Sequence, residues 1–199
     1  MSADIDSYIQ RSFAASIEVK ALSAGMLGEN IELASTLLNR ALLSGHKILI
    51  CGNAGSAADA QHFSANLLNR YERERPGLPA IALTTDSSTL TAIANDYDYS
   101  KVFSRQVTTL GQPDDLLLVL SSSGQSPSVN EAVIAANENE MPVIALTGRD
   151  GGIIAQLLDE NSIEIRVPSD VTARIQEVHR LVLNILCELV DLQLLGPSQ

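Results

Sequence analysis

Cations are scarce in this sequence. It carries 13 Lys and Arg against 24 Asp and Glu, a formal net charge of −11. That balance argues against the broad basic face that nucleic acid or an anionic membrane surface demands, so no direct nucleic-acid or membrane partner is expected. An anionic ligand would have to be held locally, by backbone N–H groups, hydroxyls and helix N-termini. Cysteine is nearly missing too. Cys51 and Cys187 lie in the apolar runs ILIC and NILCELV, where a reduced, buried thiol is expected and a disulfide framework is not. The longest apolar runs fall well short of the roughly 18 residues of a membrane span. The opening MSADIDSYIQRSF has neither the basic start nor the apolar stretch of a secretory signal. A cytoplasmic location is the expectation.

What is present points to one α/β domain. The chain has 199 residues and is 45% hydrophobic, enough for one well-buried core and too little for two domains of ordinary size. Short runs rich in Val, Ile and Leu recur at 47–51, 79–84, 115–121, 142–147 and 163–167. Continuous apolarity without alternation suits strands covered on both faces, as in a parallel sheet. Helical patterns fall between them at 56–70, 99–110, 128–139 and 151–158. Alternating strands and helices predict a doubly wound, five-stranded parallel sheet. The expected organisation is a single domain over 1–199, with N-terminal helices in 1–45, an α/β core over 46–168 and a C-terminal helix in 169–199. In the first region Ile31, Ala34, Leu37, Leu38, Ala41 and Leu42 follow helical spacing. In the last, Ile175, Val178, Val182, Ile185, Leu189 and Leu192 do the same.

Two turns invite an anion. CGNAGS follows the first strand and opens a helix, so free N–H groups at the helix start and the Ser56 hydroxyl could cradle phosphate. A turn of this kind can also be purely structural. It is neither a Walker A loop nor a G-x-G-x-x-G fingerprint, although Asp86 after the next strand mimics a ribose-binding acid. SSSGQS, from Ser121 to Ser126, follows the third strand and precedes another helix. Its four hydroxyls and glycine suit a phosphate held without a cation.

A third feature is a set of polar residues on helical faces. His62 and Asn66 lie four apart on one helix, and Gln176, Arg180 and Asn184 are spaced by four on the last, with His179 beside them. Taken alone, His62 reads as a metal ligand or as an ordinary helix residue. Asn95 and Asp96 could bond sugar hydroxyls or cap a helix starting near Tyr99. Arg70, Glu72, Arg73, Glu74 and Arg75 form a mixed-charge run, the usual mark of a solvated face.

The segments CGNAGSAADAQHF, RYERERPGLPAIALTTD, ANDYDYSKVFSRQV, SSSGQS, ALTGRDGG and RIQEVH occur in fixed order. Together they resemble the SIS (sugar isomerase) domain proteins of the phosphoheptose isomerase group, over essentially the whole chain. Those enzymes convert sedoheptulose 7-phosphate to heptose 7-phosphate for lipopolysaccharide synthesis. The resemblance implies a homotetramer with sites near subunit interfaces. It places a sugar phosphate against Ser121, Ser122, Ser123 and Ser126, with Asn53, Gly55, Ser56, Asn95, Asp96 and Gln176 around it.

Active members of that group bind zinc through a His and a Glu on the first helix and a Gln and a His on the last, the Glu and the last His serving as acid and base. By resemblance His62 and Gln176 fall on two of these positions, but Asn66 stands at the Glu position and Asn184 at the second His position. A carboxamide does not titrate in the range proton transfer needs, and losing one acid or base typically costs about 10²–10⁴-fold. Neutral amide oxygens are also poor replacements for zinc's usual donors. No catalytic residue, metal or other cofactor is therefore expected, with zinc needed only if the chain is an isomerase. A sister group, the DnaA-initiator-associating proteins, resembles this chain at the two altered positions. The expectation from this resemblance is a non-catalytic protein that partners the initiator DnaA and regulates chromosomal replication initiation. The alternative is a phosphoheptose isomerase with a rearranged site, using His62 or His179 as proton carrier.

Overall fold

The computed structural model describes residues 2–197. The five apolar runs form parallel strands: β1 (Ile48–Gly52), β2 (Ala80–Ala82), β3 (Leu116–Leu120), β4 (Val143–Gly148) and β5 (Ile163–Val167). Their order in the sheet is β2-β1-β3-β4-β5. Every residue of β1, β3 and β4 is buried, which is why these strands read as unbroken apolar runs. Alternate side chains still serve different layers, because successive residues of a strand point to opposite faces. Ile48, Ile50, Leu116 and Leu118 belong to one core, and Leu49, Cys51, Leu117 and Val119 to the other.

Eight α-helices cover the sheet among the described residues: α1 (Ser2–Met26), α2 (Gly28–Leu43), α3 (Gly55–Leu68), α4 (Ser87–Asp96), α5 (Ser104–Leu110), α6 (Pro127–Glu138), α7 (Gly152–Leu157) and α8 (Thr172–Leu195). Leu38 of α2, Phe63 of α3 and Leu186 of α8 fill the first core. Val107 of α5, Val133 of α6 and Ile154 of α7 fill the second. Helix α1 lies outside, tied to α8 where Ser16 Oγ donates to Glu177 Oε2 at 2.6 Å and Arg174 Nη1 donates to the Ser12 carbonyl at 2.6 Å. Cys51 and Cys187 are both free and buried, as expected. No helix among the described residues is long and apolar enough to cross a membrane.

Several local expectations are corrected. The helical pattern at 99–110 divides into a 3-10 helix, Tyr99–Lys101, and α5. Helix α4 escapes the apolar pattern because it buries none of its residues. Asp86, the mimic of a ribose-binding acid, is its N-cap and accepts from Thr89 N at 3.1 Å. Asn95 and Asp96 do not cap the helix near Tyr99; they form the last turn of α4, and Asp98 caps the 3-10 helix by accepting from Ser100 N at 2.7 Å. On α8 the core face runs through Ile175, Val178, Val182, Leu186 and Val190. Ile185 and Leu189 are only half-buried and Leu192 is exposed, because this helix carries two apolar stripes and the sequence alone does not say which one faces the sheet.

Strands β1 and β3 pair in step from Ile48 with Leu116 to Gly52 with Leu120. The turns that follow them therefore leave the sheet side by side. This is also the switch point of the topology, where open α/β sheets form a crevice at the carboxyl ends of their strands.

Candidate functional site

The β1–α3 turn is built for close backbone approach. A Cβ at Gly52 would stand 2.7 Å from Ser56 Cβ and 3.0 Å from the Leu120 carbonyl, so glycine lets the two turns touch. Ala54, with φ 51 and ψ −119, supplies no capping oxygen to α3, and the first N–H groups of that helix gain no side-chain acceptor from it. Ser56 is buried in the wall, whereas Gly55 is exposed at the helix start. Asn53 spans the two turns by donating from Nδ2 to Ser128 Oγ on α6 at 2.9 Å.

The serine turn is equally constrained. Gly124 N donates to Ser121 Oγ at 3.2 Å and Gln125 N donates to Ser123 Oγ at 3.2 Å. Ser121 is buried, and Ser122, Ser123 and Ser126 are half-buried. Ser126 is the N-cap of α6, yet its hydroxyl makes no capping bond. Gly124, at φ +63, has no alternative: a Cβ there would fall 1.9 Å from the Gly151 carbonyl. These contacts bring Asn53, Gly55, Ser121, Ser123 and Ser126 to the same end of β1 and β3. Asn95 and Asp96 lie on the exposed end of α4, where Asn95 Nδ2 donates to Asp96 Oδ1 at 2.9 Å.

Below this end, α3 and α8 run side by side. The Gln176 amide nitrogen would be 3.1 Å from a Cβ on Gly55, and four residues further along each helix Arg180 Nε lies 2.9 Å from Asp59 Oδ1. A cavity of about 510 Å³ opens here, lined by Lys20, Gly55, Asp59, Gln176, Glu177 and Arg180. Burial pushes the Asp59 carboxyl pKa up, opposed by the charges of Arg180 and His62. His62 is exposed, and its pKa is lowered chiefly by partial desolvation and then by Arg180. Asn66 Nδ2 sits 3.4 Å from His62 Nδ1. The carbonyl oxygen of Asn184 is buried without a partner among the described residues.

The structure does not gather the four metal-type positions of one chain. Gln176 abuts the first residue of α3, and His62 lies seven residues on, roughly 10 Å along the helix at 1.5 Å per residue. The register that sets Gln176 against Gly55 and Arg180 against Asp59 carries Asn184, two turns along α8, to the level of His62, so Gln176 is the position that stands apart. His179, the other proposed proton carrier, is fully buried, and its Nε2 lies 2.8 Å from the Thr147 carbonyl. Burial lowers its pKa to about 4. It is a core histidine with no path to a ligand.

Sequence reading missed two further arrangements. Asp59 lies three residues before His62, on a neighbouring position of the same helix face, and that spacing was visible in the sequence. Arg75 belongs to no solvated face: it is buried, with Nε donating to Asp191 Oδ1 at 2.6 Å, Nη1 to the Leu67 carbonyl at 2.9 Å and Nη2 to the Asn66 carbonyl at 2.9 Å. Arg73 Nη1 donates to the Gly196 carbonyl at 2.6 Å, near the end of α8. Arg70, paired with Glu74 at 3.5 Å, and the exposed Glu72 keep the expected surface character.

Residues 15–148 match the family model described as the SIS domain. The chain belongs to the SIS domain family. It is 60% identical over 190 residues to a phosphoheptose isomerase of Alkalilimnicola ehrlichii, covering 96% of this chain and 97% of the relative. It is 55% identical over 196 residues to a phosphoheptose isomerase of Chromohalobacter salexigens, covering 98% and 100%. The solved structure of a phosphoheptose isomerase from Francisella tularensis superposes with a TM-score of 0.92 at 45% identity, covering 96% of this chain and 98% of that one.

These likenesses overturn the expectation of a non-catalytic, DnaA-associating regulator. That expectation gave decisive weight to Asn66 and Asn184, two positions on one pair of helices. Likeness to the isomerases extends over nearly every residue of the chain, and the same helix pair carries a carboxylate and an imidazole that those two positions do not include.

Proposed function

We propose that this chain is a phosphoheptose isomerase, interconverting a phosphorylated ketoheptose and its aldose with a rearranged proton-transfer pair. The observation that carries the reading is the 55–60% identity, over nearly the full length of both partners, to proteins named for that activity. The two turns at the switch point support it, since they offer hydroxyls and helix N-termini to an anion in a protein of net charge −11. Phosphate rests against Ser121, Ser122, Ser123 and Ser126, with Asn53, Gly55 and Ser56 closing the other side.

Zinc, which the resemblance implies, does not fit the residues present. One imidazole and three amides make a weak donor set for zinc, and within one chain Gln176 stands about two helical turns from His62. Proton transfer falls instead to Asp59 and His62. In the open-chain ketose, the Asp59 carboxylate takes a proton from C1, the C1–H electrons form the C1=C2 bond of the enediol, and O2 gains a proton from His62. The protonated Asp59 then delivers its proton to C2 while His62 recovers one from O1, leaving the aldehyde at C1. Arg180 keeps Asp59 ionised in the resting site and places positive charge beside the developing enediolate. The lowered pKa of His62 favours the neutral imidazole at pH 7, whose N–H is the donor that passes its proton to O2 and whose ring nitrogen then takes the proton back from O1.

We also propose that the working form is a homotetramer. Ile5, Ile9, Phe13 and Ile17 form an exposed stripe on α1, each at least 45% exposed in the single chain, and a stripe of that kind is typical of an interface. Light scattering is expected to give four times the chain mass, and Phe13→Glu to reduce it. A wild-type protein that is monomeric at micromolar concentration removes the proposal.

Turnover of sedoheptulose 7-phosphate, measured with and without added zinc, tests the main reading. Turnover is expected in both conditions and is expected to be lost in Ser123→Ala. A protein that binds the substrate but turns it over in neither condition is not an isomerase.

A further inference from the structure

Asn53 is held from both sides. Tyr99 Oη donates to Asn53 Oδ1 at 3.0 Å, and Asn53 Nδ2 donates to Ser128 Oγ at 2.9 Å. An Asn amide can present either end to a neighbour, and an aliphatic hydroxyl accepts from nitrogen or donates to oxygen equally well. Ser128 alone therefore does not choose between the two orientations. The phenol does, because its more acidic O–H favours the donor role towards a carbonyl oxygen. With Tyr99 in place, the amide nitrogen faces α6 and the serine turn.

Tyr99 is itself pinned. The 3-10 helix that carries it is capped by Asp98, and Lys101 Nζ pairs with Glu131 Oε2 at 2.7 Å. Glu131 is one turn along α6 from Ser128, so the two bridges close a ring through Asn53, Tyr99, Lys101, Glu131 and Ser128. Val102 and Phe103, which follow directly, are buried in the second core. Yet Tyr99 is 58% exposed. A side chain this firmly anchored, with its hydroxyl spent on a residue of the anion cradle and its ring open, contributes little to the core.

We infer that Tyr99 is a ligand-positioning residue: its hydroxyl sets the Asn53 amide for the phosphate, and its ring forms the wall along which the carbon chain of a phosphorylated sugar lies. This rests on the reading of the two turns as a sugar-phosphate pocket.

Calorimetric titration of the full-length protein with inorganic phosphate, and separately with sedoheptulose 7-phosphate, tests it on Tyr99→Phe and Tyr99→Ala. Tyr99→Phe is expected to weaken both ligands about fivefold, the loss of one hydrogen bond. Tyr99→Ala is expected to weaken phosphate by the same factor and the sugar phosphate severalfold more, because only the sugar reaches the ring. Melting temperatures are expected to stay with the wild type, as for other exposed positions. Wild-type affinity for both ligands in Tyr99→Phe overturns the inference, as does a loss of binding matched by a drop in melting temperature, which would make Tyr99 a strut. If the wild type itself binds neither ligand, it is the pocket reading that fails.

Discussion

Two aspartates at different places in the fold show how a carboxylate can serve structure or chemistry. Asp115, just before β3 at the amino end of the sheet, is 1% exposed and saturated. It accepts from Lys47 N at 2.9 Å and from Gln112 N at 2.9 Å, and it pairs with the Lys47 ammonium. Asp59, on α3 at the carboxyl side, has a single ion-pair partner, Arg180, and lines a cavity. A carboxylate whose lone pairs are all engaged fixes the backbone around it. One with an oxygen free towards a cavity, its pKa raised by burial, can take up a proton and return it.

Removing Asp115 breaks that comparison at its structural end. Asp115→Ala orphans two backbone N–H groups and an ammonium, and is expected to lower unfolding free energy by about 3 kcal/mol. Urea denaturation reads this directly, and a loss below about 1 kcal/mol means the cluster is only decorative. Asp59→Asn acts at the other end. The expected result is a fall in turnover of about 10²-fold or more with substrate affinity and stability nearly unchanged, and full turnover in this variant would return the base to some other group.

Much of this contrast was legible in the sequence and the rest was not, for identifiable reasons. The strands are visible because β1, β3 and β4 are buried on both faces and almost wholly apolar, Thr147 of β4 being their one polar side chain apart from Cys51. The two strand-to-helix turns are legible as turns because glycine and serine follow each apolar run. Arg75 was not, because its partner Asp191 is 116 residues away and nothing local distinguishes a buried arginine from a solvated one in a mixed-charge run. Asp59 is visible in the sequence, but Asn66 and Asn184 occupy the positions where the resemblance places an acid and a base, and nothing in that pattern marks the carboxylate two turns before Asn66. Relying on those two positions also produced the regulatory reading that whole-chain likeness corrects.

His179 sharpens the comparison from a third side, as an imidazole that is structural because it is buried. Its folded pKa, about 4, lies below the ordinary value of 6.5. The unfolded chain therefore binds a proton first as pH falls, and stability should be undiminished above pH 6.5 and decline from there towards pH 4. The full loss corresponds to roughly 3 kcal/mol. His179→Gln, which can still donate to the Thr147 carbonyl, should flatten that decline in denaturation curves taken at pH 7 and pH 5. An unchanged slope would assign the acid sensitivity to other groups. His62, exposed and only modestly shifted, should govern turnover in acid and leave stability almost untouched.

The smallest expected effect lies in the cradle itself. Ala54 holds φ 51 and ψ −119, a region glycine enters freely and a residue with a Cβ enters at a cost of about 1–3 kcal/mol. Other non-glycine residues with positive φ include Asp114, at φ 68, but short polar side chains tolerate the left-handed region and alanine gains no such relief. Strain is kept at Ala54 because the turn must bring Asn53 and Gly55 to the switch point together. Ala54→Gly relieves it, offset by about 0.4–1 kcal/mol of extra entropy in the unfolded chain. The net expectation is a gain of about 1 kcal/mol, read as a higher melting temperature. Phosphate affinity should stay level or fall, since the freed turn no longer holds its N–H groups in one place. A destabilised Ala54→Gly would mean that the turn is held by its surroundings without strain, and that the cradle is no more costly to maintain than the saturated cluster around Asp115.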